Sequence, residues 1–324
     1  MKLAIYGYGN LGKGVEAAIG RNGDMELVGI FTRRSPDTIT PVTPNIPVLP
    51  AADLEKWAQR IDVLLLCGGS ATDLPAMTPA LARQFHVVDS YDNHSRIPVH
   101  YENVEIAAKE TNHVALISCG WDPGLFSLSR VYAQAVLPDG DSYTFWDGVS
   151  QGHSDAIRRI PGVVDARQYT VPVPSALEQV RAGQHPQLTA RQKHNRVCYV
   201  AVEEGADRDA ITRQIVTMPG YFADYDTTVH FISLQELREK HGGLPHGGSV
   251  IRTGSTGTGK NQHRVEFSLK LDSNPEFTGS VLTACARAVY RLSQQGDFGC
   301  KTIFDIPPAL LSPMTREELL ATTL

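Results

Sequence analysis

Runs that are apolar at nearly every position recur in the first part of the chain, at residues 3–6, 26–31, 61–66, 86–89 and 114–117. Between them lie stretches with helical spacing, at 15–19 and near 52–59, 75–84 and 97–111. Strands without a polar face, alternating with helices, predict a parallel sheet covered on both sides, in a first domain spanning residues 1–118. Ligands of such sheets bind beyond the carboxyl ends of the strands, which directs attention to the loops at 67–72, 90–94 and 119–124.

The pattern changes after residue 124. A helix near 126–137 leads into strands at 143–146, 165–171, 196–202, 227–231, 248–253 and 264–271, which alternate in polarity and are separated by turn residues. Alternation predicts a mostly antiparallel sheet with one solvated or helix-covered face. A helix near 275–294 follows, in which Ala284, Cys285, Ala286 and Ala288 permit close packing. The expected second domain spans 119–295, and the tail, 296–324, is expected to pack back on the first. No internal repeat, low-complexity tract or charge run is present.

With 324 residues the chain has room for two cores, and 42% hydrophobic with 20% charged residues is ordinary for a soluble globular protein. A net charge of -5 argues against nucleic acid or an anionic membrane as the main partner. No apolar run reaches bilayer length, and the first residues lack the charged region and apolar core of a secretory leader. Five scattered cysteines suit reduced thiols, so a cytoplasmic location is expected, where the Asn93-His94-Ser95 sequon has no role.

The first strand runs into Gly7, Tyr8, Gly9, Asn10, Leu11 and Gly12, a G-x-G-x-x-G fingerprint between a strand and a helix. In a Rossmann-type, doubly wound α/β domain these glycines allow the tight turn, the approach of a pyrophosphate and the packing of the helix. The second strand ends in Thr32, Arg33 and Arg34, where an NAD-binding protein carries an acidic residue. A hydroxyl and two guanidinium groups suit a 2′-phosphate, so the expected cofactor is NADP(H). Cys67, Gly68, Ser70, Ala71 and Thr72, in the next strand-end loop, complete the expected cofactor site.

Asp92 and Asp122 each follow a strand of the parallel sheet and should face the nicotinamide end of the cofactor. Two carboxylates there would orient a substrate ammonium, and one would take its proton. Singly, Asp122 also fits a helix N-cap with Pro123 at the first helical position, and Asp92 an Asx turn. Trp121 and Trp146, two of three tryptophans, adjoin loops of interest and can wall water out of a hydride-transfer site, or simply pack in a core. In 152–159 Ser154 or Asp155 is the expected helix cap. Thr170, Arg196, His246 and Asn274 are candidate ligands for a distal carboxylate and amine, Arg196 as the fork. His241, His246 and His263 match no familiar ligand spacing, so no metal is expected.

From the first strand to the last helix these motifs resemble those of the meso-diaminopimelate dehydrogenases. The resemblance is carried by Gly7 to Gly12, Thr32-Arg33-Arg34, 67–73, Tyr91-Asp92-Asn93-His94, Gly120-Trp121-Asp122-Pro123-Gly124, 150–155, 158–162, Pro245-His246-Gly247-Gly248 and 270–275. It implies NADP-dependent, reversible oxidative deamination of meso-2,6-diaminopimelate at its D-centre, giving L-2-amino-6-oxopimelate and ammonia. It also implies that Asp92 and Asp122 hold the D-centre amine beside Trp121 and Trp146, that Thr170, Arg196, His246 and Asn274 read the L-centre, and that the chain forms a homodimer or a larger homo-oligomer. Two other readings stay open, another NADP-linked two-domain reductase and an NADP-binding sensor without turnover. The paired aspartates with the distal Arg and His speak against the first, and the presence of both Asp92 and Asp122 against the second.

Overall fold

The structure is a computed structural model describing residues 1–324, which divide into two compact units. The first unit comprises 1–128 and 275–324, the second 129–274. Seven strands form the sheet of the first unit: β1 (Lys2–Tyr6), β2 (Glu26–Thr32), β3 (Val48–Pro50), β4 (Val63–Leu66), β5 (Val87–Asp89), β6 (Val114–Leu116) and β13 (Gly299–Lys301). Their order is β13-β6-β5-β4-β1-β2-β3, and every pairing is parallel. The chain runs outward from β1 to β3 and then returns to the other side of β1, so β1 and β4 flank a topological switch point.

Burial explains the apolar runs. Leu3 and Ile5 of β1, with Val63 and Leu65 of β4, enter one core cluster, while Ala4, Leu64 and Leu66 enter the other, so each strand feeds both faces. Sequence reading missed β3 and β13, which are three-residue edge strands without a hydrophobic run of their own.

The long helix Asn274–Gln295 corrects the expected division of the chain, because it packs in the first unit rather than closing the second. Its Leu282, Cys285, Ala286, Ala288, Val289 and Leu292 share the cluster of Leu3 and Ile5. Its backbone approaches helix Asn10–Ile19 where two glycines meet: a Cβ on Gly279 would lie 2.5 Å from the Gly14 carbonyl carbon. Residues 119–128, also expected in the second domain, likewise belong to the first unit. In the tail, Ile303 and Ile306 join the same core, and buried Arg287 donates to Leu311 O at 2.7 Å while pairing with Asp24 at 2.7 Å.

The second unit carries a six-stranded sheet of β7 (Gly140–Val149), β8 (Val163–Pro172), β9 (His194–Val202), β10 (Asp226–Phe231), β11 (His246–Thr256) and β12 (Asn261–Leu271), ordered β10-β9-β8-β7-β11-β12. All pairings are antiparallel except β9 with β10, whose crossover contains helix Arg208–Val216. The covered face changes character along the strands. Ala166, Cys198 and Val200 pack with Ile157, Ile211 and Ile215, whereas Thr170 and Arg196 continue the same face as buried polar residues. Ser150, not Ser154 or Asp155, caps helix Gln151–Arg158; the Ser154 hydroxyl instead donates to Ser150 O and accepts from Gln168 N, tying that helix to β8.

Candidate active site

The three glycines of the fingerprint have three different physical reasons. Gly7 turns the chain with φ +96°, and a Cβ there would stand 2.9 Å from Cys67 O. A Cβ on Gly12 would run into the Gly7 carbonyl. A Cβ on Gly9 would meet nothing within 4 Å, so this glycine keeps open the space in front of helix Asn10–Ile19. That helix has no side-chain cap, and its first N–H groups can serve an anion.

An open cleft of about 240 Å³ lies over this turn. Of the expected cofactor residues, Gly7, Tyr8, Gly9, Thr32, Arg33, Arg34, Cys67 and Gly68 line it. Asn10, Leu11 and Gly12 form the first helical turn, and Ser70, Ala71 and Thr72 the turn beyond β4. Sequence reading missed Tyr6, Gly69, Asp73 and Met77, which also line the cleft; only their place beside the glycines could have signalled them.

Both arginines are held by the cleft itself. Arg34 donates from its side chain to the Tyr8 carbonyl and from its N–H to Thr32 Oγ1 at 3.1 Å. Arg33 pairs with Asp73 at 2.8 Å, and Asp73 also accepts from Gly69 N at 2.8 Å. The Gly69 N–H, and then the Arg33 guanidinium, hold the Asp73 carboxyl below the usual carboxylate range. The Tyr8 hydroxyl donates to buried Glu16, whose other oxygen accepts from Thr43 N at 2.6 Å, so the glycine turn is fastened to the segment that follows the arginines. Burial pushes the Cys67 thiol up to about 12, so it stands protonated.

Asp92 and Asp122 stand in loops that leave the neighbouring strands β5 and β6. Asp92 is not in an Asx turn: its Oδ1 accepts from Ser70 Oγ at 2.5 Å, and its N–H donates to the same hydroxyl at 2.9 Å. Ser70, expected at the cofactor, thus steadies this carboxylate. Nor does Asp122 cap a helix. The Asp122–Pro123 peptide is cis, Leu125 is the first helical residue, and Leu125 N donates to Gly120 O at 3.1 Å, closing the loop on itself. Trp121 is buried within this loop, edge-on to Phe126 at 5.2 Å.

In the second unit the strand register brings together what the sequence holds far apart. His246 pairs with Gly148, Gly148 with Thr170, Thr170 with Arg196, and Arg196 with Thr227, one residue from each of five adjacent strands. Directly opposed residues share a face, so the side chains of His246, Thr170 and Arg196 line one row. Gly148 has φ +109°, and a Cβ there would stand 2.7 Å from the Cα of His246. Arg196 is 6% exposed, donates to Thr170 Oγ1, lies over the Tyr225 ring at 3.9 Å and leaves its buried Nε without an acceptor. A buried guanidinium paired with a hydroxyl and a ring, and with no carboxylate, is electrostatically suited to an anionic ligand.

Asn274 is joined to this region by its N–H, which donates to Leu244 O at 3.0 Å. Trp146 lies on β7; its backbone N–H donates to His194 Nε2 at 2.9 Å, and its ring stacks on that imidazole at 5.5 Å. Burial, with Arg196 and Lys193 nearby, pushes His194 down to about 3, which keeps Nε2 an acceptor. Burial and then Arg196 push His153 down to about 4. His194, His153, Gln168 and Tyr225 escaped sequence reading because each acts through a neighbour brought up by the fold. Asp92, Asp122 and Trp121 belong to the first unit, and Trp146, Thr170, Arg196, His246 and Asn274 to the second.

Comparison with known proteins is consistent across the chain. Residues 120–273 match the diaminopimelic acid dehydrogenase C-terminal domain family. The meso-diaminopimelate D-dehydrogenase of Acetivibrio thermocellus is 60% identical over 98% of this chain and 96% of its own length; that of Corynebacterium glutamicum is 50% identical over 99% and 98%. Among solved structures, the C. glutamicum DAP dehydrogenase in complex with DAP superposes with TM-score 0.93 at 48% identity, covering 100% of this chain and 99% of that one. An engineered D-amino acid dehydrogenase bound to NADP+ superposes with TM-score 0.89 at 46% identity, again covering 100% and 99%. Identity of this depth over nearly the full length of both partners makes the chain a member of the meso-diaminopimelate D-dehydrogenase family.

Proposed function

We propose that this protein catalyses the NADP-dependent, reversible oxidative deamination of meso-2,6-diaminopimelate at its D-centre. Water is consumed with NADP+, its oxygen becoming the new carbonyl, and the products are L-2-amino-6-oxopimelate, ammonia, NADPH and a proton. The single observation that carries the reading beyond family membership is the buried Arg196 guanidinium, in register with Thr170 and His246 and paired with a hydroxyl and a ring rather than a carboxylate. The corynebacterial relative solved with DAP and the engineered relative solved with NADP+ support the same pair of ligands.

The cradle fits a dinucleotide phosphate: Gly9 leaves open space before an uncapped helix terminus, and Arg33 and Arg34 flank the cleft where a 2′-phosphate needs cations. When bound, the nicotinamide supplies the acceptor for hydride. Asp92 and Asp122 hold the ammonium of the reacting centre, and one of the two takes up its proton. Trp121 and Trp146 exclude water, Arg196 and Thr170 take the distal carboxylate, and His246 and Asn274 take the remaining polar groups of the L-centre. A long zwitterion fixed at its far end presents one Cα–H for transfer, and positioning of this kind supplies about 7–11 kcal/mol of a barrier.

Purified protein should reduce NADP+ with meso-diaminopimelate and much more slowly with the LL isomer; equal rates would refute the distal clamp. We extend the proposal to a homodimer in the cytoplasm. Light scattering should then give twice the chain mass of 35.4 kDa, or a higher even multiple. No helix is long and apolar enough to cross a membrane, and all five cysteines are free, both compatible with that location.

A further inference from the structure

Asp89 ends β5 and is fully buried. Its Oδ2 accepts from Thr78 Oγ1 at 2.7 Å and lies 2.7 Å from His100 Nε2. Its Oδ1 accepts two backbone N–H groups, Tyr91 at 3.0 Å and Ser118 at 2.8 Å, and its carbonyl accepts from Cys119 N at 2.9 Å. Tyr91 directly precedes Asp92, and Ser118 with Cys119 forms the root of the loop bearing Trp121 and Asp122. One carboxylate oxygen is therefore the common anchor of two loops, each carrying one of the paired aspartates.

Two further contacts sharpen the point. Ser118 adopts φ +56°, a left-handed conformation that a non-glycine residue holds only where its surroundings fix it, and its N–H is aimed at Asp89. The Tyr91 ring packs at a tilt of 34° against His100, centroids 4.3 Å apart, so the histidine that steadies one oxygen of Asp89 also packs the loop held by the other.

We infer that Asp89 is a positioning residue which sets the Asp92 and Asp122 loops from a single buried carboxylate, with His100 and Thr78 fixing its orientation. The inference rests on the proposed roles of Asp92 and Asp122. Asp89 touches neither substrate nor cofactor in this scheme; it acts through the backbone of the loops.

Three variants test it. Asp89→Leu keeps bulk but removes both acceptors. It should lower kcat for meso-diaminopimelate oxidation about 100-fold, the scale expected for misplacement of reacting groups by an ångström, with the Kd for NADPH changed less than about threefold. Asp89→Asn keeps one oxygen able to face both N–H groups and should rescue kcat to within about tenfold of wild type. Val104→Ala opens a cavity in helix Ile97–Glu110, which carries His100, and leaves every hydrogen bond to Asp89 in place. It should lower Tm while leaving kcat within about twofold. If kcat falls in the same proportion to Tm in Asp89→Leu and Val104→Ala, the cluster is only structural and the inference fails.

An arm independent of turnover covers an Asp89→Leu chain that does not fold. In Asp89→Ala, which removes both acceptors and inserts no bulk, amide exchange at Tyr91 and Ser118 should accelerate about tenfold or more while the β1 amides keep their protection. Unchanged exchange at both positions would overturn the inference. Wild-type protein unable to reduce NADP+ with meso-diaminopimelate would end the functional proposal instead, and would leave the exchange result to stand by itself.

Discussion

The two units place polar chemistry in different parts of a sheet. In the first, every residue of β4, β5 and β6 is buried, both faces are covered, and candidate chemistry is confined to the loops beyond the strand ends. In the second, burial alternates along β8 and β9, and one face changes from apolar to polar within a strand, so Thr170, Arg196 and His246 stand in the sheet itself. A parallel sheet buried on both sides has no room for a charge between strand ends. An alternating sheet has, provided neighbouring strands supply partners in register.

Removing the charge from the in-sheet row should give the largest effect. Arg196→Met is expected to cost about 2–5 kcal/mol in kcat/KM for meso-diaminopimelate, the range for truncating one partner of a buried charge pair, with NADPH binding unchanged. The same variant should be no less stable to urea without substrate, since a buried cation lacking a counter-ion is removed. A loss of ligand-free stability would mean that Arg196 serves the fold.

The loop-borne site is tested by Arg33→Ala with Arg34→Ala. Two charge-assisted contacts at about 1.5 kcal/mol or more each predict NADPH binding weakened on the order of 100-fold, with NADH binding little changed. Equal losses for both cofactors would remove the 2′-phosphate assignment from the first unit.

Acid should distinguish the units next. His194 at about 3 and His153 at about 4 lie in the second unit, His86 at about 4 in the first, all below an ordinary value of 6.5. A depressed folded pKa means that the unfolded chain binds the extra proton. Stability is therefore whole above pH 6.5 and declines as pH falls through the window toward 4 and 3. Each such histidine contributes up to about 1.4 kcal/mol per pH unit. Urea unfolding of His194→Gln between pH 7 and 5 should show a slope shallower by about one proton; an unchanged slope would show that His194 titrates normally.

The smallest effect separates glycines within one motif. Gly9→Ala meets no protein atom within 4 Å and should leave stability within about 0.5 kcal/mol while weakening NADPH binding about tenfold. Gly12→Ala, which runs into the Gly7 carbonyl, should instead lower Tm. Loss of stability in both would mean that the fingerprint is only a packing device.

The parallel sheet was legible because its strands announce themselves locally. Leu3 to Tyr6 and Val63 to Leu66 are continuous apolar runs, and Gly7, by its φ of +96°, and Gly12, by the Gly7 carbonyl, answer to backbone geometry within a few residues. The edge strands β3 and β13 were not, since short edge strands bury too little to carry a pattern. The assignment of helix Asn274–Gln295 to the second domain failed for a related reason. Its stripe of small residues tells that it packs closely, not that the partner is Gly14, some 260 residues away in sequence.

The dinucleotide turn, the arginines behind it, the strand-end placement of Asp92 and Asp122 and, through resemblance, the family are all legible in the chain before it folds. Each of these is written in contiguous residues, where spacing fixes geometry through the backbone alone. Folding alone reveals that Asp89 clasps two loops, that Ser70 steadies Asp92, and that Gly148, Thr170, Arg196, Thr227 and His246 form one row. Those facts depend on strand order and register, which come from burying whole faces together, and a register is a property of paired strands that no single stretch of chain contains.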